Sequence, residues 1–468
     1  MLPRTLRALL AALPLALVGC TPESDRVEAA PRPQQDPGPR VRLRLTGHLE
    51  GHLEPCGCAS GQVGGLARRT FRSLQDRSSY DFLIEGGDLT TGGTPLDELK
   101  LYTILNVLDD GRARYDAVGL GPGDLALDPD LLTGFVESFP QLPFVCADIV
   151  PADASAPWPF RPFVDLEEGT ARARVTGLAT RAPTPTEGAA PRFTLRSAQA
   201  AWSLAMEGVP AGSFRILLHH GPSSEARKAA SLEPRPDLIV SIQAEHAEPP
   251  RDPELLDGGV PMVQPGVRGR FLLDVTLARM DDEPRITHYA PIPLEGSRTR
   301  KGALEDPDVR ALVLAHRHEV QADGTRERMA GLLPTENGAA YVGNARCAIC
   351  HPEAQSVWET TRHAKAWATL EDAAVGERYG WPVPHYPDCV RCHTVGYGNV
   401  SGFVNPEKTP ELRDVGCESC HGAGSAHAAN PIDNELGSIG AASCLVCHDF
   451  EQSPDFDYAE HWKAIEHK

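Results

Sequence analysis

The sequence predicts an α/β layered domain followed by a mostly α-helical and irregular domain organised by its cysteines. Three observations lead there. At 468 residues the chain exceeds one ordinary compact core. Over residues 41–295 short apolar runs alternate with segments of helical spacing, as strands and helices do when they build layers. Eight of the twelve cysteines fall between Cys347 and Cys447, where aliphatic runs are few. A formal charge of −19 gives no basic face for nucleic acid, so no nucleic-acid partner is expected.

Residues 1–19 read as an export signal. Arg4 and Arg7 precede an apolar run from Ala8 to Val18 that is too short to span a bilayer. It ends in Leu17-Val18-Gly19-Cys20, which resembles the bacterial lipobox; the resemblance implies cleavage before Cys20 and its lipidation. Thr21 follows, without the aspartate that resembles an inner-membrane retention signal, so an outer-membrane anchor on the periplasmic side is expected. Residues 20–40 carry five prolines and no apolar periodicity, which predicts a disordered tether.

Residues 41–295 contain five runs that read as buried strands: Val41–Leu45, Phe82–Ile84, Ala117–Leu120, Phe214–Leu218 and Leu238–Val240. Helical spacing marks Leu96–Leu108 and Ala198–Met206. The loops after such strands are where α/β proteins place their chemistry. Thr46-Gly47-His48-Leu49-Glu50-Gly51-His52, continuing to Cys58, resembles the opening motif of the 5′-nucleotidase branch of the calcineurin-like metallophosphoesterases. Glu85-Gly86-Gly87-Asp88 is similar to the second motif of that family, Leu217 to Gly221 to its strand-end histidine motif, and Pro261 to Gly266 to the segment after its last ligands. The resemblance implies a metallophosphatase-like layered sandwich with Asp88 in a metal-bridging position.

The departures are as specific as the matches. His48 and Glu50 stand where the family has Asp and His, Gly121-Pro122-Gly123-Asp124 replaces the Asn-His pair, and Ile242-Gln243-Ala244-Glu245 replaces the final Gly-His-x-His. A two-metal clamp needs a bridging carboxylate with His, Asn and Asp ligands around it. The expectation is therefore a degenerate domain without phosphatase activity. His48, Glu50, Asp88, His219 and Glu245 remain as candidate ligands for a divalent metal in a rewired site. A working 5′-nucleotidase-like phosphohydrolase with an accessory electron carrier is the rival reading. Three further cysteines, Cys56, Cys58 and Cys146, suggest a disulfide from Cys56 or Cys58 to Cys146, with one thiol left over.

Residues 296–340 read as a helical linker. Asp306-Pro307 opens a charged helical stretch to Met329, on which His316 and His318 are expected to be solvated.

Residues 341–468 hold four copies of Cys-x-x-Cys-His: Cys347, Cys350 and His351; Cys389, Cys392 and His393; Cys417, Cys420 and His421; Cys444, Cys447 and His448. Two thiols at this spacing reach both vinyl groups of one haem, and the next residue's imidazole is held beneath the iron. A pair of four-cysteine zinc sites would leave the four histidines without a role. Four c-type haems are expected, and they would supply the core that this segment lacks. The segment has 18 acidic against nine basic residues, a surface suited to steering a basic redox protein.

This domain also resembles the tetrahaem cytochromes of the cytochrome c-554 type, electron carriers paired with hydroxylamine oxidoreductase. The stretches that carry the likeness are Tyr341 to Gly343, Trp358 to Ala364, Cys392 to Gly398, Gly416 to His427 and Ser453 to Phe456, with a final His467. The resemblance implies distal iron ligands His363, His427 and His467, paired with His448, His351 and His421. It leaves the haem of His393 open, near Thr394 and Tyr397, unless His385 or His461 closes it. An open iron would also allow a small-molecule oxidoreductase, the second rival reading.

Overall fold

Why the N-terminal half forms a sandwich is visible in its first strand. Along Arg40–Thr46, Val41, Leu43 and Leu45 point one way while Arg42 and Arg44 point the other, the two-residue period of a strand. The computed structural model describes residues 38–467, except 56–60, 111, 154, 156–157, 183–191, 244–245, 297–303 and 337. Cys20, Cys56, Cys58 and Glu245 therefore lie outside the described residues.

The first sheet runs, edge to edge, through Glu283–Pro293, Phe271–Met280, Arg40–Thr46, Phe82–Glu85, Ala117–Gly119 and Phe144–Val145. Its last four strands are parallel and its first two antiparallel. The second sheet runs through Glu254–Leu255, Pro261–Val263, Leu238–Ser241, Phe214–His219, Ala171–Leu178 and Val164–Glu168, parallel in its four central strands. Leu43, Leu45, Ile84 and Val275 of one sheet meet Val175, Ile216, Leu218 and Val240 of the other. Each such fully buried side chain contributes about 2 kcal/mol of transfer free energy.

Helices cover both outer faces. Leu66–Gln75 and Pro95–Asp109 pack on the first sheet, and Ala198–Met206 on the second. Pro95–Asp109 starts where the sequence dictates: Thr94 and Asp97 form a reciprocal capping box and Pro95 takes the first helical position.

The segment read as a linker is a strut. Its helix Pro307–Ala322 is capped by the Asp306 carboxylate, and the chain turns at Gly324, in the left-handed conformation, before Thr325–Met329. Val309 and Val313 enter the core of the sandwich, while Val320 enters that of the C-terminal domain beside Leu96 and Trp367. His316 departs from expectation: it is 2 % exposed. It lies on the Val309–Val313–Val320 stripe, whose spacing is helical, so the packed face carries it inward. His318 is exposed.

The C-terminal domain is a chain of short helices. Its protein core gathers Trp367, Trp381, Tyr386, Val390, Phe403 and Leu412. Among the described residues beyond Leu412, no apolar side chain larger than Ala423 is buried. Residues 38–468 form one compact unit, so the two sequence domains are packed together.

Candidate functional site

All four Cys-x-x-Cys-His motifs sit on helical turns. Pro387–His393 and Cys417–His421 are helical throughout, while Cys350 and Cys447 donate their N–H groups to the carbonyls of Cys347 and Cys444. A helical turn places residues i and i+3 on one face, so each thiol pair points together with its histidine one residue on.

Three of these histidines face a second imidazole. Ring centroids lie 6.3 Å apart for His351 and His427, 6.1 Å for His363 and His448, and 6.0 Å for His421 and His467. Two metal–nitrogen bonds of about 2 Å plus the two half-rings add to about 6 Å, so each gap has the width of a doubly ligated iron. The outer nitrogens are engaged: Nδ1 of His427 lies 2.8 Å from the Asn434 carbonyl, Nδ1 of His467 2.8 Å from the Ile465 carbonyl, and Nδ1 of His448 2.9 Å from the Ser453 hydroxyl. Such bonds fix the tautomer that leaves Nε2 free to ligate. Burial lowers the pKa of His363 and His421, which favours the neutral, ligating form. With so little apolar burial beyond Leu412, these residues fit haem as the missing core.

His393 is different. Its Nδ1 is 2.6 Å from the Ala366 carbonyl, and among the described residues no imidazole makes a ring contact with it. His461 packs at a tilt against Phe456, which stacks on His448, while His385 faces the charges of Arg326, Glu327 and Glu407. Thr394 donates to the Val390 carbonyl and Tyr397 to that of Arg326.

Between Cys417 and Cys420 sits Glu418, a buried carboxylate that sequence reading passed over. It accepts N–H groups from Val342, Gly343 and Gly424 at 2.8–3.0 Å, tying the entry of the domain to the third motif.

In the sandwich, the loops after the first two strands lie side by side. His48, Glu50 and Asp88 all adopt φ near +51°, a strained conformation for residues with side chains. Glu85 anchors the second loop by accepting from Arg69 and Thr46 at 2.6 Å each. His48 Nε2 meets Glu50 at 3.3 Å; burial alone would lower its pKa, but Glu50 and Asp88 raise it.

The Asp88 carboxylate accepts the Gly123 N–H at 3.0 Å and lies 3.4 Å from His220 Nδ1. A side chain at Gly121 would put its Cβ 2.0 Å from that carboxylate, so the Gly-Pro-Gly-Asp turn closes over Asp88. The neighbouring Asp124 accepts from Thr90 and Gly121, and burial together with the Asp88 charge raises its pKa well above the usual range. Sequence reading chose His219, but the turn after the strand brings His220 to Asp88. His219 is buried, and desolvation followed by the charge of His220 lowers its pKa to about 4. Among the described residues no three His, Cys, Asp or Glu side chains converge to hold a metal ion. Of the expected ligands, His48, Glu50, Asp88 and His219 do not converge as one set, Asp88 being engaged by the Gly123 N–H beside His220, and Glu245 lies outside the described residues. Cys146 is buried beside Asp148, and its expected partners Cys56 and Cys58 lie outside the described residues.

The two domains meet at these same loops. Arg268 donates to Asp449 and Glu451 at 2.9 and 2.8 Å and lies 3.8 Å from Glu50. Lys100 donates to Asp388 at 2.7 Å. Arg317 donates to Glu54 and lies 3.7 Å over the Tyr386 ring. His316 joins Thr103 at 3.1 Å to the Tyr386 hydroxyl at 3.2 Å.

Both parts of the chain are similar to known proteins. Residues 346–422 match the family described as cytochrome c554 and c-prime. Cytochrome c-554 of Nitrosomonas europaea is 37% identical over 93 residues, 18% of this chain and 40% of that protein. The NAD nucleotidase of Haemophilus influenzae superposes with a TM-score of 0.50 at 14% identity, over 66% of this chain and 64% of its own. The chain joins a metallophosphatase-like α/β sandwich fold to a C-terminal segment similar to the cytochrome c554 and c-prime family. The fusion spans less than two thirds of either relative. A 5′-nucleotidase precursor from Thermus thermophilus is 20% identical, with a TM-score of 0.48, over 66% of this chain and 63% of its own. The C-terminal segment is similar in sequence to cytochrome c-554, and the sandwich shares its fold with the NAD nucleotidase.

Proposed function

We propose that this protein is an exported, lipid-anchored tetrahaem electron carrier whose metallophosphatase-like domain has no phosphatase activity. The observation that carries the reading is the set of three imidazole pairs 6.0–6.3 Å apart, beside a fourth motif with no opposing imidazole among the described residues. When bound, haem would supply the one-electron couple. The chain would hold each group by two thioethers and a proximal histidine at His351, His393, His421 and His448, with His427, His363 and His467 on the far side of three of them. Bis-histidine irons are saturated, which suits relay.

Partners follow from charge: an acidic cytochrome domain favours a basic redox protein, with salt-sensitive encounter. Cys20 would carry the acyl chains that hold the protein to the outer membrane, facing the periplasm. No described helix is long and apolar enough to cross a membrane.

The isolation of His393 favours one second reading, in which its iron takes a small ligand and the protein acts as an oxidoreductase on it. Electron paramagnetic resonance of the oxidised protein, with nitric oxide or carbon monoxide added, tests both. Three low-spin haems and one high-spin haem that takes up ligand are expected. Four low-spin signals without uptake would exclude an open iron and leave only relay.

A further inference from the structure

The metallophosphatase-like domain reaches the cytochrome domain with buried charge at one motif above all. We propose that Lys100 sets the redox potential of the haem carried by Cys389, Cys392 and His393, making the N-terminal domain an electrostatic regulator of that haem. The inference rests on the tetrahaem reading above.

Lys100 lies on the inner side of the capped helix Pro95–Asp109 and is only 9 % exposed, a costly place for an ammonium without a partner. Its partner is Asp388, 2.7 Å away, the residue directly before Cys389. Both ends of this ion pair are fixed by their surroundings. Leu96, one turn before Lys100, packs in the same cluster as Tyr386 and Val390, which flank Asp388. Tyr386 precedes the helix Pro387–His393 and is covered by the Arg317 guanidinium, itself 8 % exposed and held by Glu54. The helix that bears the whole second motif therefore begins on a platform built by the other domain and the strut.

Among the described residues, the remaining motifs lack such a platform in front of their first cysteine. Arg346, before Cys347, donates to Ala428 within the cytochrome domain, and Gly416 and Ser443 precede the other two. Arg268 touches the fourth motif on its far side, beyond His448, where two carboxylates share it.

A fixed cation near a redox centre disfavours the oxidised, more positive form, and it does so more strongly where water is excluded. Removing the Lys100 charge also leaves Asp388 without its hydrogen-bonded cation, one residue from a thioether. Both changes stabilise the oxidised haem and lower its potential. Removing the Asp388 charge leaves the cation alone and raises it. The affected haem is the one whose proximal histidine has no imidazole opposite among the described residues, so its potential decides whether electrons collect at that iron or pass it by.

The experiment is spectropotentiometric titration of the full-length, haem-loaded protein, with the high-spin signal followed alongside the four Nernst components. Intact mass of each variant counts the attached haems first. Lys100→Met should shift one component to lower potential and leave three in place, Lys100→Arg should restore it, and Asp388→Asn should shift the same component upward. Asp388 is 56 % exposed, so its neutralisation tests the idea even if Lys100→Met fails to fold. Unmoved midpoints in a protein with four haems, or all four components moving together, would overturn the proposal. A mass showing no haem on Cys389 and Cys392 in the unmodified protein would instead remove the tetrahaem reading beneath it.

Discussion

Arg268 of the sandwich donates to Asp449, the residue that directly follows His448 of the fourth motif. It also donates to Glu451 and lies over Phe450, so one side chain grips three consecutive residues of the cytochrome domain. Hydrogen bonds to charged groups of this kind are worth about 2 kcal/mol when broken from one side. Arg268→Ala should raise local opening of residues 449–453 roughly thirty-fold, read as faster amide hydrogen exchange there. Unchanged exchange would mean that the contact is not what holds the domains together.

His316 makes stability fall in mild acid. Burial, then the nearby Arg317 and Lys100 charges, lowers its pKa to about 3. Thr103 and Tyr386 complete its surroundings, with Asp388 the one opposing charge. Unfolded, it titrates near 6.5, so between those values only the unfolded chain takes the proton. Its contribution is complete above about pH 6.5 and is lost progressively below, by about 2 kcal/mol at pH 5. Thermal unfolding of His316→Gln should therefore lose less stability between pH 7 and pH 5 than the unmodified protein. Parallel losses in the two proteins would show that His316 is already charged in the fold.

The imidazole pairs give a positional prediction. Replacing His363, His427 or His467 by Ala should convert one low-spin haem to high spin in each case, at the iron of His448, His351 and His421 respectively. His385→Ala and His461→Ala should leave the spin count unaltered. A new high-spin signal in either of those two variants would reassign the ligands.

Phosphohydrolysis should be absent. Asp88 accepts a backbone N–H and sits beside His220, and Pro122 and Gly123 stand where an amide and an imidazole are needed. Phosphate release from AMP or a chromogenic phosphodiester, with Mn, Zn or Mg supplied, should stay at background. Metal-dependent turnover abolished by Asp88→Ala would establish the nucleotidase reading instead.

The anchor is tested at Cys20. The unmodified protein should incorporate radiolabelled acyl chains and sediment with membranes, and Cys20→Ser should do neither. Equal labelling of both would remove the anchor from this account.

What could be read in the chain was whatever chain spacing encodes. The strands Arg40–Thr46 and Phe214–His219, the capped helix Pro95–Asp109 and the four thiol pairs all rest on neighbours within a few residues. The junction was illegible because Lys100 and Asp388 are 288 residues apart and nothing local marks either as a partner. His316 was misread from composition, although its stripe with Val309, Val313 and Val320 was there to be counted. His220 was passed over because the strand ends at His219, and only the turn beyond it decides which ring meets Asp88.

Glu418 ties the start of the cytochrome-like segment to its third motif. Its carboxylate is buried between Cys417 and Cys420 and accepts backbone N–H groups from Val342, Gly343 and Gly424. One side chain thereby holds together stretches 76 positions apart, so losing its charge would free the entry segment and the third motif at once.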